Sequence, residues 1–94
     1  MKSLTSKYGG WAIVTGASSG IGRSFAEQLA RTGMNLVLVA RTEAALQRTA
    51  EELQSKYSIQ TRVLVLDLAD PIARETLDLE TLDLDVGLLI NNAA

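Results

Sequence analysis

One stretch, residues 15–22 (T-G-A-S-S-G-I-G), constrains the fold more than any other part of this 94-residue chain. It follows an apolar run at 11–14 and leads into a segment, 23–30, with apolar residues at helical spacing. A strand, a glycine-rich turn and a helix in this order form an anion site, because glycine lets the backbone approach a phosphate and the helix N-terminus presents unpaired N–H groups. The spacing is G-x-x-x-G-x-G, which differs from the general dinucleotide motif G-x-G-x-x-G.

The segment after the glycine-rich turn predicts an amphipathic helix that begins near Gly20. Gly33 follows its last turn, where a residue in the left-handed conformation is favoured. The predicted apolar stripe of this helix consists of Ile21, Phe25 and Leu29, widened by Ala26 and Ala30.

Two further helices are predicted downstream. Thr42 is a candidate N-cap for a helix whose apolar face is formed by Leu46, Ala50, Leu53 and Tyr57. Asp70 and Pro71 predict a second start, with Asp70 as N-cap and Pro71 at the first helical position. A five-residue unit then occurs twice, at 75–79 and 80–84, and we interpret it as a short acidic helix and loop; a partner-binding acidic segment is the alternative.

Two continuous apolar runs, at 11–15 and 35–40, are typical of strands buried on both faces, and the runs at 61–66, rich in valine and leucine, and at 86–90 predict a third and a fourth strand. The order βαβαβ(α)β implies a parallel sheet with right-handed crossovers. We therefore predict an α/β, Rossmann-like fold, half of a doubly wound domain with strand order 3-2-1-4. Residues 1–10 form a polar lead-in, and residues 11–94 form the dinucleotide-binding half-domain.

Composition excludes several classes of function. The net charge of −2 provides no basic surface for nucleic acid, so no nucleic-acid partner is expected. The chain has no cysteine and no histidine, so disulfides, thiolate chemistry and the usual zinc ligands are ruled out. The chain shows neither a signal-peptide core nor an apolar run long enough to cross a bilayer, so we expect no membrane partner and a cytoplasmic location.

Four separated features carry a resemblance to a known family. They are the turn at 15–22, Arg41 after the second strand, Asp67-Leu68 after the third, and the run 91–93 (N-N-A) after the fourth. Together they resemble the short-chain dehydrogenase/reductase family. The residues of the first two strands are similar to those of the branch of the family that includes 3-oxoacyl and 17β-hydroxysteroid reductases.

The resemblance implies roles for individual residues. Asp67 would hold the adenine amino group with Leu68 beside it, Asn91 would brace the sheet, and Ala93 and Ala94 would border the nicotinamide-side ribose. The pyrophosphate and the adenosine ribose would be lined by Gly16, Ser18, Ser19, Gly20, Ile21 and Gly22. Structural alternatives remain for each group: a tight turn for the glycines, a cap for Asp67, and backbone hydrogen bonding at a strand end for Asn91.

The cofactor preference depends on Arg41. NAD enzymes place an acidic residue at the end of the second strand to bind the ribose 2′-hydroxyl, whereas an arginine there suits a 2′-phosphate. We therefore predict NADP(H) as the cofactor, with NADPH preferred over NADH. The alternative is that Arg41 is an ordinary surface charge.

The chemistry that the family performs needs residues that this sequence does not show. Reductases of the family use a Ser and the Tyr of a Tyr-x-x-x-Lys motif, but Tyr8 and Tyr57 are followed four residues later by Ala12 and Thr61. The family usually has glycine where Ala94 stands. We therefore expect an NADP(H)-binding part of a reductase that acts on a carbonyl or hydroxyl substrate, truncated before its catalytic segment.

Two other readings remain open at this stage. The chain could be a non-catalytic nucleotide-binding or self-associating module, or an inert truncation product. Truncation would leave the fourth strand as an open edge, and unpaired apolar edges favour association. We therefore expect a homo-oligomer or association through the exposed strand at 86–91.

Overall fold

A computed structural model describes residues 10–18 and 20–92 of the chain. Residues 1–9 of the predicted lead-in, together with Ser19, Ala93 and Ala94, lie outside the described residues. The elements in chain order are β1 (Trp11–Thr15), α1 (Gly20–Arg31), β2 (Asn35–Ala40), α2 (Glu43–Tyr57), β3 (Thr61–Val65), α3 (Ala73–Glu80) and β4 (Val86–Ile90).

The four strands form one parallel sheet in the order β3-β2-β1-β4, so the predicted α/β architecture and strand order are confirmed. Val14 pairs with Leu38 on one side and with Ile90 on the other. A bulge at Gly87 separates the pairings of Trp11 and Ala12 with β4. The strand order reverses between β1 and β4, and a crevice forms beyond the carboxyl ends of strands at such a switch point.

One side of the sheet, which we call the two-helix face, is covered by α1 and α2. Its strand residues alternate along each strand, as the pleat requires. They are fully buried in β1 and β2 and half-buried in the edge strands: Ala12, Val14, Leu36, Leu38, Val63, Leu88 and Ile90.

The apolar stripe predicted for α1 is wrong in detail. Ile21 is 66% exposed and Phe25 is 40% exposed. The helix instead buries Gly22, Ala26, Leu29 and Ala30. Small side chains along this face let α1 lie close to the sheet, which turns the two larger side chains outward.

Helix α2 follows the prediction closely. It buries Leu46, Thr49, Ala50 and Leu53, with Tyr57 half-buried. Thr42 occupies the N-cap position but its side chain makes no capping hydrogen bond. Gly33, after α1, has a φ of +91°, so its predicted left-handed conformation is confirmed.

The opposite side, the one-helix face, is covered by α3 alone among the described elements. It buries Ile13, Val37, Val39 and Leu77, and half-buried side chains such as Leu64 pack against them. The five-residue repeat forms α3 and the turn that follows it, as predicted.

The predicted start of α3 is two residues too early. Asp70 Oδ1 accepts a hydrogen bond from the Ile72 N–H at 3.0 Å, which closes an Asx turn through Pro71. The helix therefore begins at Ala73, with Ile72 in the N-cap position.

Candidate cofactor site

A cavity of about 730 Å³ lies where the carboxyl ends of the strands meet. Every strand or the loop after it contributes to the wall, and α3 closes one side. The lining residues are Thr15, Gly16, Ser18, Val39, Ala40, Arg41, Thr42, Leu66, Asp67, Leu68, Ala69, Arg74, Leu77, Leu89, Asn91 and Asn92.

The glycine-rich turn fits tightly against the end of β4. Gly16 has a φ of +64°, and a Cβ atom there would lie 3.0 Å from the Asn92 carbonyl oxygen. A Cβ atom on Gly22 would lie 2.0 Å from the Gly16 carbonyl oxygen and 2.8 Å from Asn92 Nδ2. Both positions therefore require glycine: the first for its backbone conformation and the second for space.

A buried hydroxyl joins the ends of β1 and β4. Thr15 is 2% exposed, and its Oγ1 accepts a hydrogen bond from the Asn92 N–H at 2.8 Å. The same hydroxyl lies 3.0 Å from Asn91 Oδ1, to which it can donate. The predicted bracing role of Asn91 has this contact in its favour, and the contact fixes the cavity wall at the switch point.

Asp67 combines a structural contact with an open acceptor. Its Oδ1 accepts the Ala69 N–H at 3.0 Å, and its carbonyl oxygen accepts the Asp70 N–H at 2.9 Å. The capping alternative for Asp67 is therefore real, but it uses one carboxylate oxygen. Within residues 10–18 and 20–92, Oδ2 accepts no hydrogen bond, and Asp67 is one of the residues that line the cavity.

Arg41 supplies positive charge at the end of β2. It is exposed and lines the cavity beside Thr42. Across residues 10–18 and 20–92, it takes part in none of the ion pairs. Its guanidinium is therefore available to an anionic ligand.

The structure brings six of the predicted site residues together in one cavity wall: Gly16, Ser18, Arg41, Asp67, Leu68 and Asn91. Gly20, Ile21 and Gly22 form the first turn of α1 and do not line the cavity. Ser19 and Ala93 lie outside the described residues. The binding role of all these residues stays a prediction.

Several wall residues were missed by the sequence reasoning: Thr15, Thr42, Arg74, Leu77, Leu89 and Asn92. Thr15 and Asn92 stand inside motifs that the sequence does display, so their positions at strand ends were a usable signal. Arg74 and Leu77 enter the wall only because α3 folds back over the sheet. No spacing in the sequence indicates that contact.

The far end of α3 is held by Arg62 of β3. Its Nη1 donates to the Glu80 carbonyl oxygen at 2.7 Å and to Asp83 Oδ1 at 2.9 Å, while Nη2 donates to Asp83 Oδ2 at 3.1 Å. We call these contacts the Arg62 clamp. The hydrogen bond from Arg62 lowers the pKa of Asp83, and the same bond raises the pKa of Arg62.

Comparison with known proteins identifies the family of this chain. The model of the family described as short chain dehydrogenase matches residues 10–94. This chain belongs to the short-chain dehydrogenase family. The resemblance carried by the four sequence motifs is thereby confirmed, and the cavity lies in the segment that matches a nicotinamide-dinucleotide-binding family.

Curated relatives of this short-chain dehydrogenase segment include fungal enzymes. The very-long-chain 3-oxoacyl-CoA reductase of Aspergillus clavatus is 54% identical over 86 residues, covering 89% of this chain and 25% of that protein. The one of Laccaria bicolor is 44% identical over 94 residues, covering 98% of this chain and 28% of that protein. The chain therefore spans about a quarter of the length of these relatives, and the predicted 3-oxoacyl reductase-like branch is confirmed.

Solved structures of short-chain dehydrogenases superpose closely on the chain. A 7β-hydroxysteroid dehydrogenase is 39% identical with a TM-score of 0.90, over 93% of this chain and 34% of that one. A short-chain dehydrogenase from Sphingobium yanoikuyae, in complex with NADPH, is 39% identical with a TM-score of 0.83, over 89% of this chain and 34% of that one.

Two negative observations apply to the described part of the chain. None of its helices has both the length and the apolar character needed to cross a membrane. Within residues 10–18 and 20–92, acidic side chains nowhere gather in a group of three or more that could hold a metal ion. The expected cytoplasmic location stays a prediction.

Proposed function

We propose that this chain is the NADP(H)-binding part of a short-chain-dehydrogenase-type oxidoreductase that acts on a carbonyl or hydroxyl substrate, with NADPH preferred over NADH. The observation that carries the proposal is the position of Arg41. It lines the same cavity as Gly16, Ser18 and Asp67, and the residues around it at the end of β2, Ala40 and Thr42, are not acidic. A guanidinium there favours a 2′-phosphate, whereas a 2′-hydroxyl would call for a carboxylate.

The shape and the donor set of the cavity fit a dinucleotide. Glycine at positions 16 and 22 lets the turn pack closely against Asn92 and the start of α1, and a glycine-rich turn before a helix is typical of phosphate sites. As in any α-helix, the first N–H groups of α1 have no partner within the helix, which favours an anion at its N-terminus. At the other end, the apolar side chains of Leu66, Leu68 and Leu77 offer a surface for a flat base.

When bound, the cofactor would supply a hydride for reduction of a carbonyl. The residues of this chain would then bind and orient. Arg41 would pair with the 2′-phosphate, the Oδ2 atom of Asp67 would accept the adenine amino group, and the first turn of α1 would hold the pyrophosphate. Thr15 and Asn91 would keep the strand ends that carry these groups at a fixed separation.

The substrate class is proposed from the relatives. The fungal proteins that match this chain at 44–54% identity are named very-long-chain 3-oxoacyl-CoA reductases. A 3-oxoacyl thioester is therefore the substrate that we propose for the whole protein. Neither tyrosine of this sequence is followed by lysine four residues later, so we assign none of its residues the role of protonating that substrate.

Calorimetric titration of the chain with NADPH and with NADH tests the cofactor proposal. We expect Arg41→Ala to weaken NADPH binding by roughly tenfold, because a charge-assisted contact to the 2′-phosphate is lost. NADH binding should change by less than about twofold, since it lacks that phosphate. Arg48→Ala is the matched control, because Arg48 is equally exposed on α2 and does not line the cavity. Equal affinity for both cofactors in the unmodified chain would refute the proposal.

A second candidate, self-association, is favoured by the edge of the sheet. Leu89 on β4 is 45% exposed, and β4 has a partner strand on one side only among the described residues. We propose that copies associate through residues 86–91. Sedimentation velocity measures this directly, and a monodisperse monomer at high concentration would contradict it.

A further inference from the structure

Arg74 brings a second guanidinium to the cavity from an unexpected element. It lies in the first turn of α3, and its side chain is 69% exposed. It lines the same cavity as Arg41, although the two residues are 33 positions apart in sequence. The predicted cofactor residues did not include it.

The ion pair that Arg74 makes does not account for its position. Its Nε lies 4.0 Å from Asp78 Oδ1, one helical turn later, and both side chains are about 70% exposed. A pair with the basic residue on the N-terminal side is the weaker order in a helix, and exposed pairs of this kind contribute little. The guanidinium is therefore free to exchange Asp78 for a better acceptor.

The cavity wall is positive although the chain is acidic. Its charged residues are Arg41, Asp67 and Arg74, which sum to +1, whereas the whole chain carries −2. Two guanidinium groups and one carboxylate thus share a single wall. The guanidinium groups suit a phosphate dianion, and the carboxylate suits a neutral hydrogen-bond donor on the same ligand. A ribose 2′-phosphate next to an adenine amino group has this arrangement of charge.

We propose that Arg74 is a second determinant of selectivity for NADPH, which contacts the 2′-phosphate from α3 while Arg41 contacts it from the end of β2. This inference rests on the proposed function. It makes α3 part of the binding site, because the position of Arg74 depends on how the helix is held against the one-helix face.

Titration calorimetry on the full chain tests the inference with two substitutions. Arg74→Ala should weaken NADPH binding by about fivefold, a loss typical of one exposed charged contact, and should leave NADH binding within about twofold. Asp78→Asn removes the ion pair but keeps Arg74, so NADPH binding should be unchanged or tighter. Arg48→Ala again serves as the control for the loss of one positive charge.

Adenosine 2′,5′-bisphosphate and 5′-AMP separate contact with the 2′-phosphate from contact with the rest of the nucleotide. Arg74→Ala should weaken binding of the bisphosphate and leave binding of 5′-AMP unchanged. Equal losses for both probes, no loss for either, or a loss in Asp78→Asn as large as that in Arg74→Ala would overturn the inference. If Arg41→Ala abolishes the preference for NADPH while Arg74→Ala does not affect it, the proposed function stands and only this inference fails. If the unmodified chain binds no dinucleotide, both fail.

Discussion

The two faces of the sheet differ in how completely they are covered. On the two-helix face, α1 and α2 bury Val14, Leu36 and Leu38 entirely. On the one-helix face, α3 is only 8 residues long, and Leu64, Leu66 and Leu84 are half-buried. The difference lies outside the two central strands, because Ile13, Val37 and Val39 of β1 and β2 are buried on the one-helix face as well.

This difference divides the cavity into two kinds of wall. The glycine-rich turn belongs to the two-helix face, where close packing fixes the backbone that would meet the pyrophosphate. Arg74 and Leu77 belong to α3, whose position depends on a few apolar contacts and on the Arg62 clamp. The two-helix face therefore supplies the tightly packed turn, whereas the one-helix face supplies α3, which carries Arg74 and Leu77 into the cavity wall.

The largest expected effect compares one leucine from each face. Leu38 is fully buried, so Leu38→Ala should lower the free energy of unfolding by about 2–5 kcal/mol. Leu64→Ala makes the same chemical change on the one-helix face, where the side chain is half-buried, and should cost about 1–2 kcal/mol. Urea unfolding followed by circular dichroism measures both. Equal losses would show that Leu64 contributes as much stability as Leu38, which would contradict their difference in burial.

A smaller change in stability, but a large one in binding, is expected from the glycine-rich turn. Gly22→Ala places a Cβ atom 2.0 Å from the Gly16 carbonyl oxygen, so α1 must move away from the turn. We expect a loss of about 1–3 kcal/mol in unfolding free energy, typical of overpacking, and at least about tenfold weaker NADPH binding.

Gly10→Ala is the matched control for this substitution. A Cβ atom on Gly10 would have no neighbour within 4 Å, so neither stability nor cofactor affinity should change measurably. If Gly22→Ala retains the affinity of the unmodified chain, the turn is not the rigid part of the site.

The elements of the two-helix face were predicted from the sequence better than those of the one-helix face. Buried parallel strands are continuous apolar runs, so β1, β2 and β4 begin and end where the pattern predicts, and β3 is one residue shorter. The glycine spacing and the residues after each strand were visible as motifs, because topology alone brings the ends of parallel strands together.

The errors come from contacts that have no local signal. Ile21 and Phe25 have helical spacing with Leu29, but close approach of α1 through Gly22 and Ala26 decides which face is buried. Asp70 is a plausible N-cap by residue type, yet its side chain closes a turn before the helix. Arg74 reaches the cavity only through the placement of α3. Ser19 and Ala93 remain sequence predictions.

The smallest expected effect concerns the Arg62 clamp, which holds α3 on the one-helix face. The hydrogen bond from Arg62 lowers the pKa of Asp83 from its usual 3.8. A carboxyl with a lowered pKa in the folded state stabilises the fold above its unfolded pKa, and this contribution is lost as pH falls through the folded pKa. Asp83→Asn should therefore lower Tm by about 1–4 °C at pH 7, because both partners are exposed, and the difference should shrink as pH falls below 3.8 and vanish only below the lowered pKa of the folded state.

Thermal melts of Asp83→Asn and Asp85→Asn between pH 7 and pH 2.5 test this prediction. Asp85 is a nearby exposed aspartate that takes no part in the clamp, so its substitution should leave the difference between pH 7 and low pH unchanged. A Tm deficit in Asp83→Asn that does not shrink between pH 7 and pH 2.5 would show that the carboxylate charge is not what holds α3. Weaker NADPH binding in Asp83→Asn at pH 7, without a change in Asp85→Asn, would extend the result from stability to the site, since α3 carries Arg74 into the cavity wall.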